Sequence, residues 1–432
     1  EALALTEASA TAWAGWRKSP VADRVALLRH LARELRQQKE ALARLMTLEM
    51  GKPIVQSRAE IDKCALVCEH YASEGPSMLE PRIIATEAQQ SYVVSRPLGP
   101  ILAIMPWNFP FWQVFRAAAP ALMAGNTVLL KHSPNVTGCA RAIEALFADA
   151  GLPSGLLTVL VVDTGVVGEL IDAAPIAGVT LTGSGRAGRA VAARAGRRLL
   201  PSLLELGGSD PYVILADADL DRAVDACVTS RLLNSGQSCI AAKRFIVVDR
   251  IYDVFVDRFV AAVQTRVVGD PADAATDVGP LARIDLRNAL HEQVVRTIEV
   301  GARCRLGGAP PERPGAWYPP TILVDVPRET PAADEELFGP VASFFRARDE
   351  SDAVAIANET PFGLGAAVFT ADVERGRWLA EHAFDAGACF VNDFVRSDPR
   401  LPFGGVKQSG YGRELAVQGL RSFVNDKTVY VR

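Results

Sequence analysis

Between about residues 100 and 210, short β-rich runs alternate with helical ones: "TVLLK", "CARAIEALFADAG", "LTVLVV", "VGELIDAA", "AGVTLTGS", "RAGRAVAARAG" and "SLLELGG" follow in turn. This order constrains the chain more than any other feature. Parallel strands need crossover connections, and right-handed crossovers lay helices on both faces of a single sheet. The expected class is therefore α/β, with a buried parallel sheet. Upstream, "SYVVSRPLGPILAIMPW" alternates and then becomes continuously apolar, as a peripheral strand leading into a buried one would. A second α/β stretch runs from "PYVILADADLDRAVDACVTSRLL" to about residue 408, and the closing "DKTVYVR" reads as a short strand. Near the start, Ser19 and Pro20 read as N-cap and first helical residue. Val21, Val25, Leu28, Leu31 and Leu35 follow at helical spacing, with Gly51 as the stop after Met50.

The chain has 432 residues, 49% of them hydrophobic and 22% charged, enough for two or three globular domains. A formal net charge of -4 supplies no broad basic field for nucleic acid or anionic lipid, so a small-molecule partner is expected. The longest apolar run is cut by Pro106 and Pro110, and no membrane span is expected. Seven scattered cysteines make no disulfide framework and point to a reducing compartment, the cytoplasm. No Cys/His cluster has zinc spacing, and Cys64 and Cys68, four apart on a helical pattern, read as core, so no metal is expected.

Several residues suit nucleophilic chemistry. Cys239 lies among small residues in "NSGQSCIAAKR". The five histidines are scattered, which argues against a Cys/His hydrolase. Glu205 in "LELGGSDP" follows an apolar stretch that would raise its pKa into the range of a general base. Asn108 in "PWNFP" puts a neutral amide donor between two prolines, a suitable oxyanion partner. Gly183, Gly185 and Gly188 in "TGSGRAG" have the spacing of a phosphate-binding turn between strand and helix, and Glu205 stands where such a turn wants a ribose-binding acid. Glu205 thus has two competing readings on spacing alone.

Taken together, "PWNFP", "GNTVLLKHSPN", "LTGSGRAG", "LELGGSDP", "GQSCIAAKR", "EELFGPV" and "LPFGGVKQSGYGREL" run in order through nearly the whole chain, and the chain resembles the aldehyde dehydrogenase superfamily. The resemblance implies that Cys239 attacks the aldehyde carbon, that Asn108 and the Cys239 amide stabilise the oxyanion, and that Glu205 is the base that activates water to hydrolyse the thioester. It further implies a cofactor site made by Trp107, Lys131, Pro134, Gly183, Ser184, Gly188, Leu206, Glu336 and Phe338. The implied fold is a Rossmann-type cofactor domain (1–78 and 98–208), an α/β catalytic domain (209–408) and a small β oligomerisation part (79–97 and 409–432), in a homodimer or homotetramer.

Two positions refine the expectation. NAD-preferring relatives carry a glutamate where this chain has Pro134, so NADP or NAD is expected, with a lean to NADP from Lys131 and nearby His132. Arg116, eight residues after Asn108, matches an arginine by which succinate semialdehyde dehydrogenases hold the substrate carboxylate. Ser397 matches a hydroxyl that contacts it, and Arg396 and Arg400 are further candidates. The second arginine of that subgroup is replaced by Leu233. The implied reaction is oxidation of succinate semialdehyde to succinate; the alternatives are another small aliphatic aldehyde, or an acylating dehydrogenase in the same fold.

Overall fold

A computed structural model describes residues 1–150 and 153–432. Residue Gly151, at the end of the expected helical run, lies outside the described residues; the helix there spans Thr137–Asp149.

The βαβα stretch forms a six-stranded sheet. Its strands lie side by side in the order Gly410–Tyr411, Ser202–Glu205, Gly178–Thr182, Pro100–Met105, Thr127–His132, Leu157–Val159. Only Gly410–Tyr411 is antiparallel. In chain order the five parallel strands run 5-4-1-2-3 across the sheet, so the order reverses beside the first strand, Pro100–Met105. Ligands of open α/β sheets bind outside the carboxyl ends of the strands at such a reversal. Those ends lead directly into Asn108, Lys131, Gly183 and Glu205.

A seven-stranded sheet follows, in the order Arg303–Leu306, Thr321–Val324, Val341–Ala347, Ala242–Val248, Asp210–Ile214, Gly365–Phe369, Ala388–Val391, with only the first antiparallel. Both large sheets are buried along their central strands, as continuous apolar runs require. A third, antiparallel sheet joins Arg82–Ile83 and Gln90–Pro97 to the terminal Val424–Val431.

Three local expectations change. The helix expected from Pro20 to Met50 is two helices, Val21–Gln37 and Lys39–Met50, broken at Gln38. Ser19 caps neither: its hydroxyl donates to the Trp16 carbonyl at 2.7 Å and accepts from Arg24 Nε. The segment 409–432 does not lie wholly with the ribbon, because Gly410–Tyr411 pairs with Ser202–Glu205 and closes the edge of the six-stranded sheet. Main-chain groups at an open edge need partners, and this short strand supplies them. Gly51 does stop the second helix, with φ 77°, and Cys64 and Cys68 are fully buried in the core.

Candidate active site

The segment before Cys239 is the most strained stretch near the site. Asn234 (φ 55°) and Ser235 (φ 53°) are left-handed, which costs an L-residue about 1–2 kcal/mol each, so surrounding contacts must over-determine them. The Asn234 N–H donates to Gln56 Oε1 at 2.6 Å, and Ser235 Oγ exchanges hydrogen bonds with Gly279 at 3.1 and 3.0 Å. Gly236 (φ 76°) passes so close to the Gly339 carbonyl that a Cβ would lie 2.3 Å from it. Only glycine fits there, and the consequence is a rigid approach to the nucleophile.

Asn108 is joined to that loop. Its Nδ2 donates to the Gln237 carbonyl at 3.1 Å, and Asn234 Nδ2 donates to both the Asn108 carbonyl (2.7 Å) and the Gln237 carbonyl (3.1 Å). Behind "PWNFP", the next helix, Trp112–Ala124, begins on Glu60: one carboxylate oxygen accepts the Phe111 and Trp112 N–H groups, each at 2.9 Å. Glu60 is paired in turn with buried Lys52, whose ammonium lies 3.9 Å from the Phe109 ring centre.

Cys239 is partly exposed, in a cavity of about 250 Å³. Apolar walls come from Phe109, Trp112, Phe394 and Phe403, and Arg116, Arg396, Ser397 and Lys63 supply the polar groups. Burial pushes the thiol up to about 12, against the attraction of Arg116 and Lys243. Lys243 is itself buried and donates to the Ser238 and Cys239 carbonyls at 2.8 Å each, which fixes the main chain on both sides of the Cys239 amide.

Glu205 is 1% exposed, and neither carboxylate oxygen has a hydrogen-bond partner among the described residues. Burial, then the charge of Glu414, pushes its pKa well above the ordinary carboxylate range, while Arg116 and Arg413 pull it down. Neither Glu205 nor Asn108 lines the cavity, although the charge of Glu205 is felt at the Cys239 thiol.

Arg116 differs from its sequence expectation. It does line the cavity, but it does not offer a free guanidinium fork, because its Nε pairs with Glu414. Both side chains are almost wholly buried, at 2% and 3% exposure. Its Nη2 donates to Thr182 Oγ1 at 3.3 Å and its face lies on Phe403. A buried guanidinium demands a counterion, and "GREL" supplies one. Arg396 pairs with Asp393 at 2.8 Å and Arg400 with Asp398 at 2.6 Å. Leu233 contributes an apolar wall.

The cofactor candidates gather at the strand ends. Ser184 caps the helix Gly185–Arg197, its hydroxyl accepting from the Ala187 N–H. Gly188 fits under Leu206, where a Cβ would lie 2.6 Å from a methyl. Lys131 is half-buried, and Asp163, whose charge acts on it, already caps a helix. Pro134 opens the short 3₁₀ turn Pro134–Val136. His132 turns inward instead of toward this edge: its Nε2 meets the Pro110 carbonyl at 2.9 Å, and burial lowers it to about 4. A neutral, buried ring braces "PWNFP" and adds no charge near Lys131. Glu336 accepts the Gly208 N–H at 3.1 Å and lies 3.5 Å from Lys243, while Phe338 meets Trp107 edge to face at 5.8 Å.

The model of the aldehyde dehydrogenase family matches residues 1–429. This chain belongs to that family. It is 49% identical over 416 residues to the probable NADP(+) succinate-semialdehyde dehydrogenase of Synechocystis sp., covering 96% of this chain and 91% of the relative. It is 48% identical over 422 residues to the succinate semialdehyde dehydrogenase (NAD(P)+) Sad of Escherichia coli, covering 98% and 91%. Among solved structures, the Streptococcus pyogenes succinic semialdehyde dehydrogenase in complex with NADP+ superposes with a TM-score of 0.96 at 36% identity, over 99% of this chain and 94% of that one. Gox0499, from a study of cofactor and substrate selection, superposes with a TM-score of 0.97 at 40% identity, over 99% and 94%.

Sequence reasoning missed Glu414, Lys243 and Lys63. The first two stood inside quoted motifs, where their charge was a signal. Lys63 had only a helical spacing, with Gln56, Ala59 and Glu60 on the same cavity-facing stripe.

Proposed function

We propose that this chain oxidises succinate semialdehyde to succinate with NADP or NAD, with a lean to NADP, through a cysteine-bound intermediate. The observation that carries the reading is the cavity that places the Cys239 thiol among aromatic walls and basic side chains, a shape and charge suited to a short aldehyde with a carboxylate at its other end. The names of the relatives above support the substrate class.

The residues fit a dinucleotide. The reversal of strand order, the Ser184–Gly185 helix start and the close Gly188–Leu206 packing suit a pyrophosphate, and Lys131 faces no carboxylate at position 134 that would repel a 2'-phosphate. Lys131, Pro134, Gly183, Ser184, Gly188 and Leu206 would hold the adenosine and phosphate end; Trp107, Glu336 and Phe338 would hold the nicotinamide end. When bound, the cofactor supplies the hydride acceptor.

Cys239 adds to the aldehyde carbon: the carbon–sulfur bond forms as the carbonyl π bond breaks, and the thiol proton is released to solvent, where it is the proton of the net reaction. The carbonyl oxygen takes up negative charge. A carboxamide has two N–H groups, so Asn108 can give one to that oxygen while the other stays on Gln237, and the Cys239 amide gives a second bond. After oxidation a thioester remains on Cys239. Glu205, whose raised pKa suits proton abstraction, takes a proton from the attacking water, and the thiol is the leaving group. The balance is aldehyde plus water plus NADP+ giving acid, NADPH and a proton. The family contains the alternative acylating chemistry, but a buried, unpartnered Glu205 serves a hydrolytic step.

The chain acts as a homo-oligomer. Support comes from the terminal strand Val424–Val431, whose outer edge is unpaired among the described residues and which exposes Tyr430 and Val431. Light scattering that returned the monomer mass would refute this.

The test is turnover of succinate semialdehyde with either cofactor, followed by reduced nicotinamide absorbance, with butanal as the aldehyde lacking the carboxylate. A kcat/KM for butanal equal to that for succinate semialdehyde would overturn the substrate reading.

A further inference from the structure

We propose that Lys63 supplies the positive charge that captures the substrate carboxylate, with Ser397 as its hydroxyl partner. This inference rests on the succinate semialdehyde reading and assigns its specificity to a residue that no sequence motif marks.

Lys63 lies on the helix Ile54–Met78 and lines the same cavity as Cys239. Its ammonium donates to Ser397 Oγ at 2.8 Å and sits 4.3 Å from the centre of the Trp112 ring. No carboxylate pairs with it among the described residues, whereas each arginine considered for the substrate already has one: Arg116 has Glu414, Arg396 has Asp393 and Arg400 has Asp398. An ammonium has three donors, and here one neutral hydroxyl and an aromatic face receive it. The charged neighbours on the wall are already committed, Glu60 to Lys52, Arg116 to Glu414 and Arg396 to Asp393, so a substrate carboxylate entering the cavity would meet Lys63 as a cation with no carboxylate partner. Arg116 adds to the positive field behind it.

The charged groups around Lys63 act in a consistent direction. Burial, and then Arg116 from the helix Trp112–Ala124, lower its pKa to about 8, while Cys64 and Glu60 on its own helix and Asp398 on the loop opposite oppose that shift. Asp398 is committed to Arg400 and does not neutralise Lys63. Lys63 is therefore charged at neutral pH and loses its charge in the alkaline range where the enzyme's thiol and base become more reactive.

The experiment compares wild type, Lys63→Met and Lys63→Arg on succinate semialdehyde and on butanal. Methionine keeps the apolar stem over Trp112 and removes the charge. Loss of a charge-assisted hydrogen bond should lower kcat/KM for succinate semialdehyde about 10- to 100-fold, mostly through KM. For butanal the change should stay within about threefold, and arginine should restore most of the loss. In wild type, the ratio of kcat/KM for the two aldehydes should fall as pH rises through about 8, because the titrations of Cys239 and Glu205 cancel in the ratio. A Lys63→Met enzyme that prefers succinate semialdehyde as strongly as wild type overturns Lys63 alone and returns the role to Arg116. A wild type with no preference overturns the substrate reading and this proposal together. If Lys63→Met does not fold, the wild-type pH ratio decides: a flat ratio between pH 7 and 9.5 refutes the role.

Discussion

Arg116, Glu414 and Glu205 form a buried group with one cation and two carboxyls, and the perturbation that exposes its logic is a double-mutant cycle. In the folded protein, burial raises the pKa of Glu414 while Arg116 opposes the shift, and Glu414 in turn raises Glu205. Glu414→Gln removes that repulsion and leaves Arg116 undivided, so the pKa of Glu205 falls. The rising limb of the deacylation rate then moves to lower pH, because the base form appears earlier. Stability should behave differently. Glu205→Gln leaves the Arg116–Glu414 pair in place, and after Glu414→Gln the ionisation of Glu205, which Arg116 favours through its field without a hydrogen bond, answers the guanidinium; each should cost about 1 kcal/mol. The pair Glu205→Gln/Glu414→Gln leaves a guanidinium at 2% exposure with only Thr182 Oγ1 and the face of Phe403, and an uncompensated buried charge costs about 3–5 kcal/mol. Unfolding entropy of about 2.1 cal/mol/K per residue gives roughly 0.9 kcal/mol/K for a chain this long, so the double variant should lose about 3–6 °C and each single variant about 1 °C. Thermal melts of the four proteins at one pH, with single-turnover deacylation from pH 6 to 9, make the assay. A double variant no worse than the sum of the singles, or a Glu414→Gln limb that stays in place, would refute the shared-counterion argument.

Asn108→Ala should lower kcat about 10²- to 10³-fold with little change in KM, because the lost hydrogen bond matters in the charged transition state; a drop confined to KM would assign Asn108 to ground-state binding. Pro134→Glu should raise KM for NADP at least tenfold and leave KM for NAD nearly unchanged, read in initial-rate kinetics with each cofactor; equal effects would place the 2'-phosphate elsewhere. Gly236→Ala should give a protein with a lowered melting temperature, because its Cβ must displace the Gly339 carbonyl while adopting φ 76°; an unchanged melt would mean that the loop can relax.

The parts of the site that lay open in the sequence share one property: their meaning is local. The turn "TGSGRAG" carries its own spacing and its own capping serine, and "PWNFP" is rigid because prolines flank it. Cys239 is the exception: its own stretch fits a small core residue as well, and it reads as the nucleophile only because Glu205, Asn108 and the cofactor motifs stand in order along the same chain. The alternation of strands and helices sufficed for two parallel sheets, since crossover handedness leaves few arrangements. Even locally the reading erred where two signals competed, as at Ser19, whose hydroxyl found the Trp16 carbonyl and Arg24 in place of a helix N-terminus.

What tertiary structure decided was charge. On paper Arg116, Arg396 and Arg400 are the cations the motifs offer, and Lys63, on a helix that no motif marks, is not among them. Folding brings Glu414 to Arg116 across 298 residues (414 minus 116) and leaves Lys63 with a hydroxyl. It also turns His132 inward, where burial makes it neutral, and so removes a cation that the sequence had offered to the cofactor. Side-chain identity and local spacing are properties of the chain. The net charge of a group in a cavity depends on which carboxylates the fold carries beside it and on how much water it leaves there, and neither quantity is written in any short stretch of sequence.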